Sequence, residues 1–491
     1  MTVIKRRIRL AACFLLVSCS HSGRSLAPKG AVSSSTIAQA TIPQSVNSSF
    51  QTQSPSSAVA PATSSVPARC VQSPSSRQIT LWHSLGGNTA NDELDSLVAE
   101  FNRSHEDKLV AKKIGGYDDL LRALASTPLD QWPDIIAAPQ GANRSLLDSH
   151  HFLSPDDCNA NPALAGDLVP VVAASYSVDG KLRSVPFGVS APLLLFDRAE
   201  FRKAGLDPNK PPATTAQLMA ASAQIQSSGA SPYGLVVSDH IAEWVVRQGA
   251  AKAGLTIGAP DNGRTDVGLT AFRANQPAFV SELGLYRDAI LAGHAKWIGG
   301  LKSDFDDLLA IVADHDGATM TIHTSASVGD IFALLAAGNF PGVELGVAPM
   351  PGPEVGSLVG GNSLWLVDHA DAERAGAAGN VIAWLAAPKQ IAAMDAVTGY
   401  VPPTRSAAAD PSLLARWAQQ PELRVAYDQL ASMDASVAAA GILIGPSIDF
   451  DFALYNASTR VATTAEPIPK ILDDVDTTVD ALIRSYRASH G

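Results

Sequence analysis

Between residues 78 and 367, segments that read as strands alternate with segments that read as helices. This alternation restricts the folded part to an α/β architecture, with mainly parallel sheets covered by helices. Residues 79–83 (ITLWH) have the β-branched and aromatic content of a strand. Residues 89–105 then place Leu94, Leu97, Val98 and Phe101 on one face, as an amphipathic helix does. Thr89 with Asp92 three positions on suits the start of that helix. Residues 108–114 read as a second strand, Gly115 and Gly116 as a turn, and Tyr117 as the opening of a helix carrying Leu120, Leu121 and Leu124. A short buried strand follows at 134–138. Residues 184–196 read as extended, 198–204 and 214–228 as helices, 233–237 as a strand, and 242–249 and 277–292 as helices. Strands at 319–322, 345–348 and 363–367 and a helix at 328–337 continue the pattern, and beyond Asp371 the chain is mostly helical.

The N-terminal tract has a different character. No Asp or Glu occurs from residue 1 to residue 91. Between Cys19 and Ser76 the chain is mostly Ser, Ala, Thr, Pro, Gln and Val, which cannot bury enough apolar surface to offset the entropy of ordering. Residues 19–77 therefore read as a disordered tether. Ahead of it stand Lys5, Arg6, Arg7 and Arg9, then the apolar stretch 10–18, then Cys19. That stretch falls short of the roughly 20 apolar residues of a spanning helix. Charged segment, short apolar run and small residue before a cysteine resemble the lipobox of bacterial lipoproteins. The resemblance implies a signal peptide at 1–18, lipidation at Cys19 and a place on the extracytoplasmic face of the cell membrane. An ordinary secretory signal is the alternative.

Composition narrows the function classes. Hydrophobic residues make up 46% of the 491, enough for a large core. The formal net charge is -11, and becomes more negative once the four cations of the signal are set aside. So acidic a surface argues against nucleic acid and against anionic lipid, leaving the membrane to the anchor alone. Of four cysteines, Cys13 falls in the signal and Cys19 in the lipobox. Cys70 and Cys158 remain, and outside the cell they are expected to pair, two free thiols being the other state. Their spacing suits no zinc site.

Motifs for catalysis are missing. There is no G-x-S-x-G, no G-x-x-x-x-G-K-[ST] and no H-E-x-x-H. The carboxylate pairs Asp118–Asp119 and Asp306–Asp307 sit where helices begin and complement the helix dipole. Two carboxylates distant in sequence would escape such a search, so a secreted glycan-acting hydrolase stays open as an alternative. No cofactor or metal is implied.

Four segments resemble the extracellular solute-binding proteins of ABC importers, and within them the glycerol-3-phosphate and sugar binders. They are Ile79-Thr80-Leu81-Trp82-His83-Ser84 with Glu93 to Leu97 and Phe101-Asn102; Gly205-Leu206-Asp207-Pro208 with Pro211-Pro212; Gly360-Gly361-Asn362-Ser363-Leu364-Trp365; and Thr398-Gly399-Tyr400-Val401-Pro402. The resemblance implies a two-lobed, periplasmic-binding-protein-like α/β fold, a ligand cleft between the lobes, and capture by hinge closure. Lobe 1 is expected at 78–184, completed by about 318–368, and lobe 2 at 185–317, completed by about 369–491. The implied partners are a small polar solute (a sugar, an oligosaccharide or a glycerophosphodiester) and ABC permease subunits, with the receptor a monomer.

The resemblance also implies ligand contacts at Tyr117, Gln140, Ser190, Trp244, Ser325, Gly361 and Tyr400. Each has a plainer reading: Tyr117 a helix start, Ser325 an N-cap, Trp244 a core residue, Gly361 a turn. One departure bears on the ligand. The glycerol-3-phosphate binders grip phosphate with an arginine in a G-L-R-L-G-like segment, whereas here Gly441-Ile442-Leu443-Ile444-Gly445 puts Leu443 at that position. Leucine makes no bidentate phosphate contact. Arg405 is the nearby candidate substitute, and Asp449 and Asp451 would repel a phosphate if they faced the cleft. A bilobal lipoprotein that has lost its ligand and acts as an adhesin or scaffold is the remaining alternative.

Overall fold

The computed structural model describes residues 69–71, 76–158, 164–300, 308–309, 311, 317–352 and 357–490. The signal 1–18, Cys19, most of the tether 19–77, and Asp306 and Asp307 lie outside the described residues. Among the described residues, no helix is long and apolar enough to cross a membrane.

Two sheets organise the chain. In chain order their strands are β1 Gln78–His83, β2 Lys108–Lys113, β3 Ile135–Pro139, β4 Phe152–Leu153, β5 Val185–Ser190, β6 Pro192–Asp197, β7 Tyr233–Ser238, β8 Ala295–Gly299, β9 Ala318–Thr324, β10 Leu345–Pro349 and β11 Gly360–Val367. The first sheet has the order β2-β1-β3-β11-β4, with β5 also paired to β11. The second has the order β8-β7-β9-β6-β10. β1, β2 and β3 are mutually parallel, and β11 runs against them. β7, β8 and β9 are parallel, and β6 runs against β9 and β10.

The sheets divide the sequence differently from the expected boundaries. β5 belongs to the first sheet through its pairing with β11, so the second sheet begins only at Pro192. β9 and β10, expected to complete the first lobe, lie in the second sheet, where Met320 and Ile322 enter the second core. The helices Ala372–Leu385 and Pro388–Val397, expected in the second lobe, bury Val381, Ile382 and Ile391 in the first core. The helices Ser447–Thr463 and Ile468–His490 bury Phe450, Leu454, Ile471 and Val479 in the second.

Strand alternation makes β6 a shared wall. Leu193 and Leu195 face the first core, whereas Leu194 and Phe196 face the second. Below the first sheet a smaller cluster forms around Trp365, 1% exposed, with Ile136, Ala138 and Leu120. Burying side chains of that size is worth about 1.5–3 kcal/mol each.

The links between the sheets define the site. β5 ends at the edge of the first sheet where the parallel strands have their carboxyl ends. One residue later, at Ala191, β6 starts opposite Thr324, at the carboxyl end of β9. β10 likewise ends at that edge of the second sheet, and β11 begins at the carboxyl edge of the first, Gly360 opposite Ser190 and Asn362 opposite Pro139 at the end of β3. The connections through 191 and 350–359 therefore join one carboxyl edge to the other. The third, 325–327, leaves β9 at the same edge for the helix Val328–Ala336. Asp330 of that helix accepts the N–H groups of Asn88 (3.2 Å) and Thr89 (3.0 Å), capping the helix Asn88–Ser104 of the first half.

Buried cations reinforce the joint. Arg264 donates to the carbonyls of Ala174 (2.9 Å), Ser175 (3.0 Å) and Gly441 (2.7 Å), and burial pulls its pKa down to about 9. Arg144 donates to Thr265 O at 2.7 Å and Asp266 O at 2.9 Å. At the N-terminal end of the described chain, Cys70 and Cys158 are joined by a disulfide, their Cα atoms 5.0 Å apart. Val71 N–H donates to Ala372 O at 2.8 Å, laying the strap on the helix Ala372–Leu385.

Candidate functional site

In open α/β sheets, ligands collect beyond the carboxyl ends of parallel strands. Here the two such edges adjoin, and the polar residues along them make two faces of unlike chemistry.

The first face carries buried polar groups without partners. His83 ends β1 and Ser84 follows it, 4% and 3% exposed; His83 Nδ1 and Ser84 Oγ make no hydrogen bond. Burial, with Lys113 adding to it, lowers the His83 pKa to about 4, so the ring is neutral at physiological pH. Asn362, the third residue of β11, lies opposite Pro139, fully buried, and both its amide nitrogen and amide oxygen are unpaired. Asn143, just after β3, leaves Oδ1 unpaired. Tyr400 is 2% exposed, and its hydroxyl lies by the Gly86 backbone without a well-formed hydrogen bond. Burial pushes that phenol well up, with the field of Tyr117 adding to it. Leaving a buried donor or acceptor unpaired costs about 1–3 kcal/mol, so a concentration of them on one edge suits a polar ligand that satisfies them.

The residues expected from sequence distribute along this frame. Tyr117 starts the helix Tyr117–Ser126 after β2 and is 43% exposed; its field reaches Tyr176 as well as Tyr400. Asp119 accepts the Gly116 N–H at 3.1 Å, and Arg122 bonds both Asp118 (3.1 Å) and Asp119 (3.0 Å), so that pair serves the helix start. Gln140 opens a short 3₁₀ turn directly after β3, beside the register position of Asn362. Gly361 has φ +88°, and a Cβ there would collide with the Gly188 carbonyl oxygen, so glycine is required by close backbone approach. Ser190 ends β5, 7% exposed, paired with Gly360. Ser325 is 1% exposed and exchanges hydrogen bonds with Ala191: its N–H donates to Ala191 O (2.8 Å) and its hydroxyl accepts from Ala191 N (3.2 Å). Ser325 thus fastens the crossing, and the cap of the following turn is Thr324, whose hydroxyl accepts from Ala326 N at 3.3 Å.

The second face is charged and internally paired. After β7 the chain enters a helical turn at Ile241–Glu243 and widens to a π-helical turn over Trp244–Gln248, a local distortion common at functional sites. Trp244 is half-buried against the second core and lines a small open depression with Ser238, Ile241, Tyr286 and Thr321. Arg247, one turn on, pairs closely with Asp451 Oδ1 and lies 3.7 Å from Glu243 Oε1, its guanidinium 4.6 Å from the Phe450 ring centroid. His240 Nδ1 is 3.2 Å from Glu243 Oε2, and its ring is 4.7 Å from Tyr455. Burial pushes the Asp451 carboxyl up to about 7, against the pull of Arg247. Burial works the same way on Glu243, but the His240 hydrogen bond and Arg247 outweigh it and hold that carboxyl below its ordinary range. The charge of Asp118, from the first half, is also felt at Asp451, which places the two faces within electrostatic reach.

The phosphate-gripping position is apolar in structure as in sequence. Leu443 is 2% exposed, and its N–H donates to Asn262 O at 2.8 Å. Arg405 does not replace it: its guanidinium donates to the carbonyls of Gly166 (2.5 Å) and Leu168 (3.5 Å). Sequence reasoning did not single out His83, Ser84, Asn143, Asn362 or Arg247 with Glu243 and His240; of that cluster it named only Asp451, as a carboxylate that would repel phosphate. His83, Ser84 and Asn362 lie inside the segments that carried the resemblance, and Arg247 lies three positions after Trp244. Among the described residues, no group of three or more His, Cys, Asp or Glu is arranged to hold a metal.

Comparison with known proteins agrees with this geometry. Residues 96–425 match the family described as bacterial extracellular solute-binding protein. The chain is 26% identical over 436 residues to the sn-glycerol-3-phosphate-binding periplasmic protein UgpB of Yersinia pestis bv. Antiqua (strain Antiqua), covering 84% of this chain and 94% of that protein. Among solved structures, the cyclic alpha-maltosyl-1,6-maltose binding protein of Arthrobacter globiformis superposes with a TM-score of 0.65 at 21% identity, over 83% of this chain and 99% of the other. UgpB of Mycobacterium tuberculosis in complex with glycerophosphocholine superposes with a TM-score of 0.66 at 19% identity, over 84% and 99%. Likeness at such identities establishes the two-lobed fold.

Proposed function

Because this chain belongs to the bacterial extracellular solute-binding proteins, we propose that it is the receptor of an ABC importer, closing its two lobes on one sugar- or glycerol-phosphate-type solute and delivering it unchanged to a permease. The observation that carries this reading is the set of buried, unpartnered polar groups on His83, Ser84, Asn143, Asn362 and Tyr400 along one sheet edge. Hydroxyls of a bound solute satisfy them as the lobes close and water leaves. Tyr117, Gln140, Tyr400 and the Gly361 backbone supply contacts from the first lobe, and Trp244 offers a ring from the second. Ser190 and Ser325 sit at the crossing. The lobes meet near Ala191, each following its own sheet. A neutral sugar, an oligosaccharide or a glycerophosphodiester fits the cleft, since Leu443 stands where the phosphate-binding arginine is expected. The receptor acts as a monomer outside the cell, moored through a lipid on Cys19 by the tether 19–77.

Native mass spectrometry of the purified chain, followed by calorimetry across sugars, polyols, glycerol phosphates and glycerophosphodiesters, tests the reading. One solute per chain is expected, with a micromolar Kd, about -8 kcal/mol, and a contraction on binding visible by small-angle scattering. A folded protein that binds no member of the panel and does not contract sinks it.

A further inference from the structure

The second face of the cleft contains a cation that is already occupied. We propose that Asp451 is a built-in counter-anion for Arg247, and that this pairing makes the cleft admit neutral, hydroxyl-rich solutes and refuse phosphomonoesters. The inference rests on the reading of the cleft as a solute site and names the class of solute that it takes.

The geometry carries it. The Arg247 guanidinium has a ring on one face, Phe450 at 4.6 Å, and carboxylates at both terminal nitrogens, Asp451 and Glu243. For a phosphomonoester to take the fork, Asp451 must leave it. The Asp451 side chain is 30% exposed and Arg247 14%. Displacement would strand a half-buried carboxylate beside Glu243 and within reach of Asp118. The groups acting on Arg247 are Glu243 from its own helix and Asp451 and Tyr455 from the helix Ser447–Thr463; His240 acts on both carboxylates, and Asp118 of the first lobe acts on Asp451. Carboxylates dominate that set, so an incoming dianion meets net repulsion.

What remains open on this face suits a hydroxyl. Arg247 Nε is a buried donor with no partner. Asp239 Oδ1 is a buried acceptor with no hydrogen bond, His240 Nε2 lying 3.7 Å away. A solute with several hydroxyls can accept from the one group and donate to the other without dismantling the ion pair. A fully ionised phosphate monoester only accepts, so it cannot serve Asp239.

Calorimetry at pH 8 on the full chain tests the assignment, with sn-glycerol 3-phosphate as the anionic probe and ribitol and maltose as neutral probes. The wild type is expected to bind glycerol 3-phosphate more weakly than a neutral probe. Asp451→Asn frees the guanidinium, and its affinity for glycerol 3-phosphate should rise at least about tenfold. The double variant Arg247→Met/Asp451→Asn should lose that gain. Asp451→Ser serves as the second substitution if the Asn variant shows a lowered melting temperature. Absence of any gain in both Asp451 variants overturns the inference, as does wild-type binding of glycerol 3-phosphate tighter than of the neutral probes. The receptor reading is judged separately: if a neutral probe binds while the Asp451 variants gain nothing, only the counter-anion idea falls. If no probe binds any of the proteins, both fall.

Discussion

The two faces of the cleft are built on the same plan, residues placed just beyond the carboxyl ends of parallel strands, yet they handle polarity in opposite ways. The first face is neutral and leaves His83, Ser84, Asn143, Asn362 and Tyr400 without partners. The second is charged and satisfies itself through Arg247, Asp451, Glu243 and His240. In the receptor proposed above, the first face stores a desolvation cost that a solute relieves and so contributes affinity and orientation. The second, its charges in mutual restraint, is the proposed filter on what enters.

Acid offers the largest test of that contrast, because the faces respond with opposite sign. His83 has its pKa lowered to about 4 from 6.5, so between those values the unfolded chain binds more protons than the native one. Its contribution to stability is intact above pH 6.5 and is lost as pH falls towards 4, on the order of 3 kcal/mol in all. Asp451, raised to about 7, does the reverse: its native carboxyl takes up a proton first, and stability is gained as pH falls below 7. Urea melts from pH 7 to 4 should therefore show His83→Asn losing less stability on acidification than wild type, and Asp451→Asn losing more. Parallel slopes for all three proteins would erase the distinction.

Asn362→Leu should follow in size. Removing a buried amide that has no protein partner should leave the melting temperature unchanged or raised, while solute affinity falls about 10- to 100-fold. Loss of stability with affinity intact would show that the amide serves the fold. Arg247→Met should have the smallest effect, about 1–2 kcal/mol of destabilisation, below the figure for fully buried pairs because its partner is partly exposed. Adding Asp451→Asn should return part of it, a coupling readable in a double-mutant cycle.

Much of the fold was legible because periodicity reports burial. The strands β1, β2, β3, β7 and β9 and the helices following β1, β2 and β7 stand in the sequence as apolar alternations and stripes. β8 escaped because Lys296 and the glycines around it interrupt the apolar run. β4, at two residues, is too short to leave a pattern. The switch of sheets at Ala191 escaped for another reason. Residues 185–197 are buried throughout, and a continuous apolar run carries no mark where its hydrogen-bonding partners change. Within the candidate site, Tyr117, Gln140 and Gly361 are reached only through the family resemblance, since none stands out by local pattern. Pairing across 204 positions, as between Arg247 and Asp451, is set by packing of the helix Ser447–Thr463 and leaves no local trace. The unpaired state of Asn362 is likewise a property of what surrounds it.

The sulfur bridge at Cys70 has a mechanical consequence. Cys158 and the helix Ala372–Leu385, to which residues 70–71 are fastened, both belong to the first core. A pull arriving along the preceding chain is thus delivered into the first core and not through the link at Ala191. In the tethered receptor proposed above, the second lobe would carry none of that load.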